Sequence, residues 1–311
     1  MLLLDDVIQE YLYHCMAKGF TKKTMINKRF ELNQAKEYLQ NKRGLKTLES
    51  VTIHDLKAYV RYKHQSGLKP QSIVSLFKMV RAFFSWCEKE EYIPENIAKK
   101  VELPKVPKRI FEGLTTSEVQ AMINSFSYKN YLEARNKAII AMMADCGLRA
   151  MEVRGIINED VKETAILVHG KGNKERFVYI SPALKKILIR YERLKREYFQ
   201  ERLIEEDYYF LNYVGRGLSH IGLDNLVKEA GRRAGIDRHK VKPHNLRHYY
   251  SVTTLSDGHL DLHSLSRLLG HSEIQTTQIY LASLSEEQLS NKAISSSPLM
   301  NTGGIRKGKL R

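Results

Sequence analysis

The chain has 311 residues, of which 51 are lysine or arginine and 35 are aspartate or glutamate, giving a net charge of +16. This length exceeds one small domain, so two domains are the natural expectation. The positive excess favours a polyanionic partner such as nucleic acid, although a merely basic soluble protein is also compatible with it. With 42% apolar residues, the chain can build packed cores, which argues against broad disorder.

The cysteines and the N-terminus indicate the compartment. Cys15, Cys87 and Cys146 lie in apolar helical patterns without a Cys-x-x-Cys pair, so we interpret them as buried thiols of a reducing compartment. The acidic, amphipathic N-terminus lacks the pattern of a signal peptide, and no apolar run reaches the ~18 residues of a membrane span. We therefore expect a cytoplasmic protein without a membrane partner.

Apolar residues recur with a helical period through residues 1–101. Gly19 and Gly44 mark helix ends, whereas Thr52 and Pro70 mark helix starts. Four amphipathic helices with short turns predict a compact bundle. Basic residues recur on its exposed faces and loop ends; such a run is often only a solvated face, but here it suits a DNA backbone. The predicted DNA contacts of this bundle are Lys22, Lys23, Lys28, Arg29 and Lys69.

The helical period stops in residues 102–113. This segment and the residues just before it are rich in proline and lysine and have neither a helical nor a strand period. Such a composition predicts an extended basic linker whose charges follow a polyanion. The predicted DNA contacts here are Lys99, Lys100, Lys105 and Lys108.

A second domain is expected over residues 114–294. After several helices its period changes to two, and residues 164–168 and 176–180 predict a β-hairpin around a glycine-rich turn. Residues 208–211 predict a further short strand, and helices continue from there. For residues 295–311, rich in Ser, Gly and Lys, we expect a disordered basic tail. The expected fold class is mainly α with a small antiparallel β-sheet.

Cationic and phenolic side chains gather near the C-terminal end of this domain. His244 and Arg247 are three positions apart and share a helical face, and Tyr280 follows His271 by nine positions. A guanidinium binds two phosphate oxygens, an imidazole moves protons near neutral pH, and a phenol can attack phosphorus. His244 and His248 have the spacing of a metal pair but lack an acidic or thiol partner. We expect neither a metal nor a cofactor.

Three separated motifs together resemble the active site of the tyrosine recombinases. Gly147-Leu-Arg-Ala-Met-Glu152 resembles the family's first box, Gly170-Lys-Gly-Asn-Lys-Glu-Arg176 resembles its hairpin, and residues 243–280 resemble its second box and nucleophile helix. The resemblance covers about residues 1–294 and is nearest to Xer-type recombinases and the integrases of mobile elements. It implies a SAM-like core-binding domain followed by a mixed α/β catalytic domain. Tyr249-Tyr-Ser-Val departs from the family, in which a Thr/Ser and an aromatic residue are commoner.

The resemblance assigns a role to each matched position. Arg149 and Arg247 would hold the scissile phosphate, and Lys171 would protonate the departing 5′-oxygen. Tyr280 would be the nucleophile. Glu152 would orient Arg149 or His271, unless it is simply a solvated helix residue. Lys174 is expected to contact the DNA backbone, and Arg176 could do the same. The implied catalytic set is Arg149, Lys171, His244, Arg247, His271 and Tyr280.

The implied activity is site-specific DNA recombination through a 3′-phosphotyrosyl intermediate, without ATP or metal. Its implied substrate is double-stranded DNA with inverted-repeat core sites, within the nucleoid. A dimer on each site and a tetrameric synapse would be joined by exchange of the apolar helix predicted at residues 285–294, which could instead pack within its own chain. Two alternatives remain: a type IB topoisomerase-like strand transferase, and a DNA-binding regulator that has lost catalysis.

Overall fold

The structure is a computed structural model, and it describes residues 2–107, 112–170, 174–202, 204, 206–256, 260–271, 273–281 and 290. The chain divides into two compact units, Met1–Arg109 and Ile110–Arg311. Each unit has its own hydrophobic core. Helices dominate both units and the second adds a two-stranded antiparallel sheet, so the predicted fold class is confirmed.

Four helices build the first unit, and its caps follow the sequence signals. The Thr52 side chain accepts the Asp55 N–H while the Asp55 carboxylate accepts the Thr52 N–H, so the two residues form a capping box. Gly44 ends the preceding helix with a φ of 71°, and Pro70 opens the fourth. The helices are α1 (Leu4–Ala17), α2 (Lys22–Arg43), α3 (Ile53–Gln65) and α4 (Pro70–Lys89), followed by a 3₁₀ turn, Ile97–Lys100.

The second unit is organised around one buried helix. This helix, Tyr131–Cys146, has buried residues on all sides, as expected for a helix at the centre of a core, and it packs against the helices Pro182–Phe199 and Pro243–Ser256. In chain order the helices are α5 (Thr116–Asn124), α6 (Tyr131–Cys146), α7 (Ala150–Gly155), α8 (Pro182–Phe199), α9 (His220–Arg233), α10 (Pro243–Ser256), α11 (Leu262–Leu269) and α12 (Gln275–Leu281).

The predicted hairpin is present. Strands β1 (Ala165–His169) and β2 (Glu175–Tyr179) pair antiparallel, within one residue of the expected bounds. The further strand expected at residues 208–211 is wrong, because Tyr208 and Leu211 make only isolated bridges to Ile157 and Gly217. These two bridges connect the segment to its neighbours without forming a continuous ladder.

Two glycines end helices next to the predicted catalytic residues. Gly147 ends α6 with a φ of 62°, and a Cβ there would lie 2.3 Å from the Tyr250 ring. Gly270 ends α11 with a φ of 64°. Both positions need the left-handed conformation that glycine adopts without strain. As a result, Arg149 and His271 each follow a sharp turn.

The cysteines and helix lengths complete the description. Cys15, Cys87 and Cys146 are buried free thiols, as predicted. None of the helices in the described part of the chain combines the length and apolar character that a membrane crossing needs.

Candidate active site

A single buried carboxylate lies at the centre of the predicted catalytic residues. Glu152 in α7 is 7% exposed and accepts the backbone N–H and Nη1 of Arg149, both at 2.8 Å. It also accepts Nη1 and Nη2 of Arg176, from β2, at 3.0 and 2.9 Å. Arg247 Nη1 lies 3.8 Å from the same carboxylate. Burial alone would raise the pKa of Glu152, but the Arg176 hydrogen bonds and charge and those of Arg149 lower it.

The same three arginines bind the carboxyl end of α11. Arg176 Nε donates to the Leu268 carbonyl at 2.6 Å. The Leu269 carbonyl accepts Arg247 Nη2 at 2.8 Å and Arg149 Nη1 at 3.3 Å. The last carbonyls of a helix lack partners within the helix, and they carry its negative end. Guanidiniums from three distant segments therefore converge there.

Arg247 is the most enclosed of the three arginines. It is 1% exposed, and its Nη1 donates to the Gly147 carbonyl at 2.8 Å. Burial and the nearby Arg149 charge lower its pKa to about 10. Arg247 therefore remains charged at neutral pH and supplies a fixed positive charge.

Arg247 also determines the tautomer of His271. Arg247 Nη2 lies 2.9 Å from His271 Nε2, and because a guanidinium can only donate, Nε2 is the unprotonated nitrogen. The other nitrogen, Nδ1, then donates to Thr277 Oγ1 at 2.8 Å. Burial, followed by the charges of Arg247 and Arg149, lowers the pKa of His271 to about 4. The imidazole is neutral at physiological pH.

The two histidines of α10 also have lowered pKa values. Partial desolvation and the charges of Arg247 and Arg149 lower the pKa of His244, which lies exposed in the first turn of α10. One turn later, His248 is buried, and its ring centroid lies 5.3 Å from that of Tyr280. Burial and the neighbouring His244 lower the pKa of His248 to about 4.

Tyr280, on α12, lies inside this site. Its ring is nearly parallel to the His271 ring, with centroids 6.3 Å apart, and its hydroxyl interacts with the Arg247 guanidinium. Tyr280 and Arg247 are both only 1% exposed. The surrounding apolar cluster comprises Leu255, Leu265 and Leu269.

The chain matches known family models over most of its length. Residues 112–287 match the Phage integrase family, and residues 8–91 match its N-terminal SAM-like domain. The chain belongs to the phage integrase family. Tyrosine recombinase XerD of Halalkalibacterium halodurans is 28% identical over 283 residues, which cover 90% of this chain and 94% of that protein. The prediction of a tyrosine-type site-specific DNA recombinase is thereby confirmed.

Solved structures share the fold of this integrase. XerH site-specific recombinase, bound to palindromic difH substrate in a post-cleavage complex, aligns with a TM-score of 0.70 and 20% identity over 88% of this chain and 80% of that chain. The Tn1549 transposon integrase, in complex with transposon right end DNA, aligns with a TM-score of 0.71 and 15% identity over 95% and 99% of the two chains.

The structure brings most of the predicted catalytic residues together within one chain. Arg149, Arg247, His271 and Tyr280 are linked through the contacts above, and His244 lies beside the arginines. Lys171 lies outside the described residues, as do the helix expected at residues 285–294 apart from residue 290, and the basic tail.

The predicted DNA contacts are mostly at the surface. Lys99 and Lys100 pair with Glu88 and Glu95, each at 2.7 Å, and Lys108 lies outside the described residues. The other exposed members are Lys22, Lys23, Arg29, Lys69, Lys105 and Lys174.

Lys28 differs from the other predicted DNA contacts because it is buried. Its ammonium donates to the Tyr11 hydroxyl and lies 5.3 Å from the centroid of the Phe20 ring. A DNA contact by Lys28 would require this side chain to leave its place in the first unit.

Sequence reasoning missed three side chains of the site, Arg176, Thr277 and His248, the last having been considered only as half of a metal pair. Arg176 was expected to contact the DNA backbone. Its position near Lys174 in the hairpin motif gave no sign that it binds Glu152. Thr277 carried no signal beyond its place in a Thr-Thr pair. Within the described residues, no group of three His, Cys, Asp or Glu side chains is arranged to bind a metal ion.

Proposed function

We propose that this recombinase cleaves and rejoins DNA with Tyr280 as nucleophile, the other predicted residues serving the same phosphate. The observation that carries the assignment is the burial of the Tyr280 phenol beside Arg247 and His271 in one chain. A phenol held beside a fixed cation is placed to attack an anionic phosphodiester.

The charges of the site favour an anion. Three guanidiniums surround one carboxylate, so the cluster carries an excess of positive charge. In our proposal Arg149 and Arg247 bind the non-bridging oxygens of the scissile phosphate. Their attraction grows as negative charge concentrates in the transition state.

The proton balance follows from the neutral imidazoles. As Tyr280 oxygen bonds to phosphorus and the 5′-oxygen departs, the phenolic proton passes to an imidazole, since His248 and His271 flank the ring. Lys171 gives a proton to the departing oxygen. Attack by a 5′-hydroxyl on the phosphotyrosyl bond reverses these transfers and rejoins the strand.

The proposed assembly is a dimer on double-stranded DNA with inverted-repeat core sites, and a tetramer in the synapse. The XerH complex with a palindromic substrate and the lambda integrase dimer bound to a core site support this proposal. The domains would be a core-binding domain (1–101), a basic linker (102–113), a catalytic domain (114–294) that exchanges its C-terminal helix, and a basic tail (295–311). Its place would be the cytoplasmic nucleoid, where such DNA lies.

Trapping on a nicked suicide substrate tests the nucleophile. Tyr280→Phe removes one oxygen without changing charge, so we expect unchanged DNA affinity and complete loss of the covalent adduct. Tyr249→Phe is the matched control and should form adduct like the parent protein. Adduct formation by Tyr280→Phe would move the role to another tyrosine.

The same assay addresses the two alternatives. A DNA-binding regulator would give no adduct even with the parent protein. A topoisomerase-like strand transferase would give adduct and relax supercoiled DNA, but it would not form Holliday junctions on paired sites.

A further inference from the structure

All three guanidinium nitrogens of Arg176 donate hydrogen bonds within the protein. Its two terminal nitrogens bind both Glu152 oxygens, and its Nε binds the Leu268 carbonyl. Its side chain is 12% exposed, whereas Lys174, two positions earlier in the hairpin, is exposed. A DNA phosphate would have to displace these partners to reach Arg176. The geometry therefore argues against the role of DNA backbone contact.

We propose that Arg176 is a positioning residue of the recombinase site, which places Arg149 and His271 by joining Glu152 to the carboxyl end of α11. This inference rests on the proposed function of that site. Arg176 itself does not touch the phosphate in this proposal. It acts through the groups that do.

Arg176 determines how the charge of Glu152 is shared among the arginines. This buried carboxylate has two close partners, Arg149 and Arg176, and Arg247 at a longer distance. With Arg176 bound to both of its oxygens, the carboxylate is shared, and Arg149 keeps donors for a ligand. Without Arg176, the full attraction of a buried carboxylate would fall on Arg149 and Arg247, drawing both away from a phosphate.

Arg176 also holds the end of α11 that precedes His271. It follows Gly270, the residue that ends α11, and the Leu268 and Leu269 carbonyls of that end are bound by the three arginines. A Cβ on Gly270 would lie 3.0 Å from Arg176 Cδ, so Arg176 passes directly over this turn. Loss of the Leu268 hydrogen bond would free the turn and loosen His271.

Arg176 also anchors strand β2 of the hairpin. Arg176 lies opposite Val168 in the ladder, beside the closing pair His169 and Glu175. The bond from Gly170 N–H to the Lys174 carbonyl, at 2.7 Å, closes the turn. By anchoring β2 to Glu152 and α11, Arg176 fixes the base of the hairpin in whose sequence Lys171 lies.

The test compares two cations of this hairpin. Arg176→Met should slow single-turnover cleavage at saturating DNA by about 10²-fold, the usual effect of misplacing reacting groups by about 1 Å. It should leave the slope of log K against log salt unchanged. Lys174→Ala should instead lower the magnitude of that slope by about 0.9, the value for one phosphate contact. The opposite pattern, with a lower slope and normal cleavage for Arg176→Met, would overturn the proposal.

Two further variants separate positioning from loss of folding. Arg176→Lys should not restore cleavage, because one ammonium cannot span both Glu152 oxygens and the Leu268 carbonyl. Arg176→Met combined with Glu152→Gln should be no slower than the worse single variant, since the two residues act as one unit. Additive defects, or recovery in Arg176→Lys, would contradict the proposal.

Hydrogen exchange gives a measurement that does not depend on activity. In Arg176→Met, amides of residues 149–155 and 262–271 should exchange faster, while those of the first unit and of Lys174→Ala should match the parent. Unchanged exchange in both segments would overturn the positioning role. If the parent forms no adduct, the proposed function fails, yet this comparison still decides whether Arg176 holds the two segments.

Discussion

The first unit buries Glu31 beside Lys63 and Tyr59, whereas the second unit buries Glu152 among three arginines. Tyr59 donates to Glu31 at 2.8 Å and Lys63 lies 3.3 Å from it, so one acid has one cation and one phenol. Lys28, a second buried lysine of this unit, donates to the Tyr11 hydroxyl, and burial lowers its pKa. The first unit thus gives its buried Glu31 carboxylate one cationic partner.

The second unit does not balance its buried charge in this way. Its cluster holds three guanidiniums to one carboxylate, and arginine remains charged at neutral pH even where burial lowers the pKa, as for Arg247. Arg149 is partly exposed, but Arg176 and Arg247 are enclosed with the single carboxylate of Glu152, so one enclosed positive charge has no counter-charge. Such a charge is costly unless an anion arrives. The comparison teaches that a buried ion pair is weak support for function, while an unbalanced buried cluster indicates a ligand and its sign.

Among variants that keep Tyr280, the largest expected effect is that of Lys171→Ala, because the buried groups of the second unit are poorly placed to donate a proton. The terminal nitrogens of Arg247 donate to backbone carbonyls, and His248 and His271 are neutral at pH 7. If Lys171 protonates the leaving 5′-oxygen, its loss should slow cleavage by about 10²–10⁴-fold with little change in DNA binding. Single-turnover cleavage of a nicked substrate measures this.

A substrate with sulfur at the bridging 5′ position provides the decisive control. A thiolate leaves without a proton, so Lys171→Ala and the parent should cleave it at nearly the same rate. Lys174→Ala, the other lysine of this turn, should show no such rescue. An equal defect of Lys171→Ala on both substrates would mean that the lysine supplies only charge or position.

The sequence allowed the predictions that depend on local rules and on motif spacing. Capping residues such as Thr52, and helix ends such as Gly44, are set by neighbours three or four positions away. The hairpin bounds follow from alternation and a glycine-rich turn. The catalytic set followed from the family resemblance, which requires only residue types at fixed distances along the chain.

What could not be predicted depends on tertiary approach. Arg176 lies 24 positions from Glu152 and 92 from Leu268, so no local pattern indicates that its fork faces inward. Lys28 occupies a basic loop end by sequence, but the packing of α1 against α2 buries it under Tyr11. Residues 208–211 have strand propensity, yet the surrounding core gives them no continuous partner strand.

A smaller effect is expected for Glu152→Gln, and Glu31→Gln is its matched partner in the balanced unit. Glu152→Gln should slow cleavage at saturating DNA by about 10²-fold, because Arg149 and Arg176 lose the charge that orients them. Glu31→Gln should leave cleavage unchanged and destabilise the first unit by about 1–3 kcal/mol. Cleavage rates and thermal melts of the two variants measure the contrast.

Acid titration extends this test. The folded pKa of Glu152 is lowered, so its carboxylate contributes stability above its unfolded pKa of about 4.3 and loses that contribution as pH falls through the folded value. Glu152→Gln should therefore flatten the acid limb of stability in the second unit. A cleavage defect in Glu31→Gln as large as in Glu152→Gln would show that charge balance does not distinguish the two clusters.

The smallest expected effect compares Lys99 and Lys100, which are ion-paired, with the lysines of the predicted linker. Lys99 and Lys100 already face Glu88 and Glu95, while Lys105 is exposed. Each phosphate contact releases counterions, so it makes the slope of the log of the DNA association constant against log salt more negative by about 0.9. An ammonium that must first leave a carboxylate adds less net attraction, so the two kinds of lysine should differ in binding while cleavage at saturating DNA stays the same.

Two double variants with the same change in charge make this comparison. Lys105→Ala with Lys108→Ala should lower the salt slope by up to about 1.8, two contacts' worth. Lys99→Ala with Lys100→Ala should lower it by clearly less, since each lysine gives up an existing ion pair to reach DNA. Equal reductions would mean that the Glu88 and Glu95 pairs open freely on DNA. No reduction in either variant would mean that the whole basic segment faces solvent in the complex, and the positive charge that binds DNA would then have to lie elsewhere on the two units.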